Sequence, residues 1–163
     1  MKKTLVIIVV VAVIALGGAF VFLKANSPLA DGTIAWTQEK KIALVGVGNK
    51  MPFGEIQIEN VLVNNDHKPT DVKVQVSNVL KGFVLTDNMN EEKESEIPFK
   101  DLHTVRLQSK TDPEKQLNKV NDGTATKNDI TYAIMVQHNQ EIHEVIVEYR
   151  YLGILFKEKF TIK

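Results

Sequence analysis

Cysteine is absent from this chain of 163 residues. That absence excludes disulfides, thiolate nucleophiles and cysteine-ligated metals, so stability must come from apolar burial. It is compatible with an oxidising compartment, where a chain without cysteine runs no risk of mispairing. Neither sign of charge is in excess: 20 Lys and Arg stand against 20 Asp and Glu. Setting aside Lys2 and Lys3, in the apolar N-terminal stretch discussed below, leaves 18 basic against 20 acidic side chains, a formal charge of −2. Nucleic acid or an anionic membrane surface as main partner calls for a concentrated basic face, which this balance argues against. Also missing are the Gly-x-Ser-x-Gly elbow of serine hydrolases and the Gly-x-x-x-x-Gly-Lys-Ser/Thr phosphate loop. No segment suggests an enzyme, and no catalytic or cofactor-binding residue is assigned.

Charge is locally absent too. Leu5 to Leu23 holds no charged residue, and 19 residues at 1.5 Å of rise make about 28 Å of helix, close to the thickness of a hydrocarbon core. Residues 1–23 therefore read as a transmembrane signal-anchor helix, with residues 4–23 in contact with the lipid bilayer. Lys2 and Lys3 precede the run, and positive charge on this flank favours a cytoplasmic N-terminus and an extracytoplasmic C-terminal domain. A cleavable signal peptide competes, because Ala15-Leu16-Gly17 and Gly17-Gly18-Ala19 resemble small-x-small cleavage sites. Cutting there would leave Phe20 to Leu23 as an apolar tail, which favours an uncut anchor. Leu16-Gly17-Gly18 also opens like a lipoprotein box, but Ala19 stands where that box needs cysteine. Ala12, Ala15, Gly18 and Ala19 place small residues near one helix face, as in closely packed membrane helices.

Asn26 to Gly32 carries turn and breaker residues, so residues 24–33 read as a linker and 34–163 as one domain. Beyond the linker the dominant period is two. Ile56/Ile58, Val61/Val63, Val72/Val74/Val76, Phe83/Leu85, Val105/Leu107, Tyr132/Ile134/Val136, Val145/Val147/Tyr149/Tyr151, Ile154/Phe156 and Phe160/Ile162 each place apolar side chains on one strand face. Between Ile58 and Val61 the alternation slips, as a bulge at Glu59-Asn60 or a break into two strands would make it. Asp112 to Val120 is the helix candidate, with Asp112 as cap and Pro113 in the first turn. Gly153 allows the final strands to turn back on each other. Seven to nine short strands without a repeated strand-helix unit indicate an antiparallel β-sandwich or barrel.

Two stretches carry a resemblance: Ile56 to Ser77, a strand, a polar turn and a Val-x-Val-x-Val strand, and the terminal "VIVEYRYLGILFKEKFTI". They are similar to strand pairs of immunoglobulin-like domains on bacterial surfaces. The resemblance implies an all-β immunoglobulin-like sandwich and, as a class, roles in adhesion, assembly or ligand presentation. It departs from antibody domains, which pair a buried tryptophan with two cysteines, since Trp36 stands here alone. It transfers no functional residue.

Among polar clusters, His138 and His143 bracket "NQEI", where a hairpin would bring both imidazoles near one metal ion, with Glu141 and Glu144 close by. This supports an alternative metal sensor or metal-dependent enzyme, though two imidazoles fall short of a ligand set, and no metal residue is assigned. His67 and His103 are the remaining histidines. Thr86 to Glu96 gathers Asp87, Glu91, Glu92, Glu94 and Glu96 without the regular ligand spacing of a calcium loop, and reads as solvated. Asn121 to Asp129 reads as a turn-rich connection. Phe53, within Met51 to Gly54, either plugs one end of the sandwich or projects as an anchor. The expectation is thus a membrane-anchored extracytoplasmic module that binds or scaffolds another envelope component, without nucleic acid and without a cofactor.

Overall fold

The computed structural model describes residues 2–86 and 97–163. The acidic stretch singled out above, apart from Thr86, lies outside the described residues. Helix α1 runs Lys2–Ala25, and Val6–Ala25 is long and apolar enough to cross a membrane. Apart from half-buried Leu23, its described side chains are exposed. A helix apolar on every side has no face suited to water and needs hydrocarbon or protein around it.

Nine strands among the described residues form two antiparallel sheets. They are β1 Leu29–Trp36, β2 Ile42–Asn49, β3 Ile56–Val63, β4 Asp71–Asn78, β5 Phe99–Asp101, β6 Arg106–Leu107, β7 Ile130–Gln137, β8 Glu144–Tyr151 and β9 Ile154–Thr161. One sheet is ordered β1-β2-β7-β4-β5 and the other β6-β3-β8-β9. Because α1 ends at Ala25 and β1 starts at Leu29, Asn26 to Pro28 make the connection, shorter than the 24–33 read from breaker residues. Gly32 sits inside β1 at an irregularity between Asp31 and Ile34.

Period two translates directly into burial where one face is covered. Val45, Val47, Val74 and Ile134 of the first sheet share one core with Ile56, Val147, Tyr149 and Phe156 of the second. The sheets therefore pack face to face. In β3 the slip is a bulge: pairing with β8 shifts between Ile58 and Asn60, and the extra residue, Glu59, sends its carboxylate to Arg150 Nε at 3.3 Å. One continuous strand results, not two. The last hairpin closes through Leu152 and Gly153, both at positive φ (49° and 78°), the backbone of a two-residue primed turn.

Two features depart from the alternation. The list of alternating pairs starts at Ile56 and misses β1 and β2. All eight residues of β2 are buried, because it lies mid-sheet with both faces covered, and such strands read as runs without period. Conversely, Phe83 and Leu85 alternate but form no strand. Their segment crosses the outer face of the first sheet, held by buried Gln75, whose Nε2 donates to Val84 O (2.5 Å) and whose Oε1 accepts from Val84 N (2.9 Å). Ile42, Phe99 and Met135 form a second, smaller cluster beneath it with Leu85.

Helix α2, Pro113–Asn121, covers another part of that outer face. Asp112 caps it, accepting from Glu114 N at 3.1 Å, with Pro113 in the first turn as expected. Glycines make the seat. A Cβ at Gly48 would lie 1.9 Å from Thr111 O, and one at Gly32 would lie 2.8 Å from Pro113 Cβ, so side chains at either position would push α2 off the sheet.

Candidate functional site

Between α2 and the 83–85 segment the outer face of the first sheet stays open as a groove of about 280 Å³. Leu44 and Gly46 form its floor, with Phe83 and Leu85 on one side and Gln116 and Leu117 on the other. The floor is low because β2 places glycine at 46, where a Cβ would meet Thr33 backbone at 3.0 Å. Two buried polar atoms on residues lining the groove, Gln116 Oε1 and Thr131 Oγ1, have no hydrogen-bond partner among the described residues. Buried polar atoms are normally paired, and unpaired ones mark places where a partner is expected. Chemically, the groove suits a compact apolar group. Neither Gln116 nor Thr131 belongs to a motif, so sequence reasoning had no signal for them.

A second built region is the end of the sandwich next to α1. Leu23 packs against the main core. Lys24 Nζ donates to Leu155 O at 2.6 Å and stands 4.5 Å from the centre of the Phe156 ring. Phe156 stacks on Tyr149 with centroids 5.3 Å apart. The Tyr149 hydroxyl is 2.7 Å from Ser27 Oγ and accepts from Leu29 N at 3.4 Å; burial pushes this phenol up to about 12, against the opposing effect of those bonds. These contacts tie the end of α1 to β8 and β9.

Loop 50–55 belongs to the same end. Buried Asn49 organises it: Nδ2 donates to Gly54 O (3.0 Å) and Leu107 O (3.3 Å), and Oδ1 accepts from Met51 N (3.0 Å). Tyr151 donates its hydroxyl proton to Phe53 O at 2.7 Å. Phe53 itself is 62% exposed, so of the two roles read from sequence it projects and does not plug.

The histidines sit apart from both regions. His138 lines a shallow hollow with Thr37, Glu39 and Lys41, and its Nδ1 is buried without a partner among the described residues. His143 is exposed, its Nδ1 3.9 Å from Glu141 Oε1, and that carboxylate also meets Lys40 at 3.3 Å. Glu144 is engaged by Lys159 at 2.9 Å, and this hydrogen-bonded lysine holds its carboxyl below the usual range. Among the described residues no three His, Asp or Glu side chains gather as a metal site. In the Asn121 to Asp129 connection, Asp129 is bound by Lys119 and by Thr126 N and Oγ1, which orders the turn after α2. The Ala12 and Ala15 side chains on α1 are exposed.

Comparison with protein-family models, curated proteins and solved structures finds no match for the chain.

Proposed function

We propose that this chain is a membrane-anchored binding or scaffolding module of the cell envelope. In this reading α1 crosses the bilayer with its N-terminus in the cytoplasm, and an immunoglobulin-like sandwich stands outside. Lys2 and Lys3 on the short flank support that orientation. The observation that carries the binding role is the groove beside α2, apolar, open and lined by Leu44, Leu85 and Leu117. Its volume fits a side chain or another compact apolar group better than a whole cofactor. The occupant proposed is an apolar side chain of an envelope protein.

The test places a photo-crosslinking residue at Leu117, exposed at the groove edge, in the full chain in intact membranes. A discrete adduct is expected, and it should vanish when Ala35→Phe fills the groove. An adduct indifferent to Ala35→Phe, or no adduct, would overturn the assignment of the groove.

A further inference from the structure

The end of the sandwich nearest α1 exposes three large apolar side chains: Phe53 at 62%, Leu152 at 55% and Leu155 at 49%. Phe53 comes from loop 50–55, Leu152 from the β8–β9 turn and Leu155 from the start of β9. Tyr151 bonds Phe53 O, and the position of a Cβ on Gly54 is 3.3 Å from Leu152 Cδ2. Leu155 O holds Lys24, the residue that ends the apolar run of α1. If α1 fills the hydrocarbon core, Lys24 lies at headgroup depth, and whatever it touches lies there too.

Leu152 is the informative member. It occupies φ 49°, a left-handed conformation that costs a non-glycine residue about 1 kcal/mol or more and normally goes to Gly, Asn or Asp. The neighbouring primed-turn position follows the rule with Gly153. A leucine here pays that strain and exposes an apolar side chain as well, a combination that folding alone does not reward. Exposed Lys50 and Lys110 flank the same loops: Lys50 N bonds Pro28 O beside the helix end, and Lys110 N bonds Met51 O. Among the described residues no carboxylate pairs with either side chain. Of the acids at this end, Glu55 is exposed in the adjoining loop, and Glu148 and Glu158 line a hollow with Lys24, Leu155 and Lys157. Although the domain is nearly neutral as a whole, unpaired cations thus gather beside an apolar tip.

We infer that this end of the sandwich is a membrane-seating surface, in which Phe53, Leu152 and Leu155 enter the interfacial layer and Lys24, Lys50 and Lys110 meet anionic headgroups. The inference rests on the reading of α1 as a membrane span. Seating by apolar tips and basic flanks is the general mode of interfacial attachment, and here it would hold the domain at one tilt, with the groove at a set height.

Because the chain has no cysteine, single introduced cysteines can each carry one nitroxide. Full-length protein labelled at Phe53→Cys or Leu152→Cys, reconstituted in vesicles containing phosphatidylglycerol, should relax more with lipid-soluble oxygen than with a water-soluble nickel chelate. His143→Cys at the far end should show the reverse, and Val9→Cys in α1 should show deep oxygen exposure. In Lys50→Gln or Lys110→Gln the ratio of seated to lifted protein should fall about fivefold for each lysine removed. Aqueous behaviour at 53 and 152 with Val9→Cys still in lipid would overturn the seating surface alone. Aqueous behaviour at Val9→Cys would overturn the membrane span, and the seat with it. Equal seating on pure phosphatidylcholine would remove the role given to the lysines.

Discussion

At the residue scale, two buried amides act as staples that no sequence pattern marks. Asn49 ties the end of β2 to loop 50–55 and to β6 through three side-chain hydrogen bonds. Replacing it leaves a buried N–H and two carbonyls without partners, each costly to strand. Asn49→Ala should lower stability by roughly 2–4 kcal/mol in urea unfolding; a loss within experimental error would show that the staple is redundant. The tyrosines give a pH dependence. All three, Tyr132, Tyr149 and Tyr151, are pushed up chiefly by burial, Tyr149 to about 12. A raised phenol favours folding in its neutral form, so this contribution is whole below about pH 10 and is lost as pH climbs through the folded values. Absorbance of tyrosinate should therefore lag that of the urea-unfolded chain between pH 10 and 12, and Tyr149→Phe should reduce the lag.

At the element scale, α2 matters through its seat more than through its own propensity. Nine residues are too few for an isolated helix to persist in water, yet Asp112 caps it and Gly32 and Gly48 let it lie against the sheet. Gly48→Ala should cost about 3 kcal/mol or more, because its Cβ meets backbone and not a flexible side chain. The companion measurement is amide exchange in residues 113–121, which should quicken first. Protection unchanged in α2 would mean that the sheet moves instead. Capping is a smaller effect: Asp112→Ala should lose about 1 kcal/mol in the same assay.

At the scale of the whole molecule, one core is shared by both sheets, so neither sheet has an interior without the other. The sandwich should therefore unfold in a single transition, with Trp36 fluorescence and the β signal in circular dichroism losing half their amplitude at the same urea concentration. Separate midpoints would show that β1, which carries Trp36 at the sheet edge, detaches by itself. The connection from α1 is short and bonded at both sides, through Lys24 and Ser27.

Local chemistry explains what could be read directly. A run of 19 uncharged residues is a helix suited to a bilayer by length alone, and alternation at β9 follows from one covered face. Asp112-Pro113 starts a helix because cap and ring geometry are properties of two adjacent residues. The short alternating strands read as an antiparallel sandwich or barrel are present as two antiparallel sheets on one core. The misses share a cause. Strand β2 has no period because a second layer covers its outer face, and the 83–85 segment mimics a strand because it packs there without pairing. Gln116, Thr131 and the tip formed by Phe53, Leu152 and Leu155 depend on which distant loops meet. Sequence set the periodicities, since each depends only on near neighbours along the chain. Tertiary structure alone decided the groove, the staples and the basic apolar end, because contacts between residues far apart in the chain arise only once the sheets have closed on a common core.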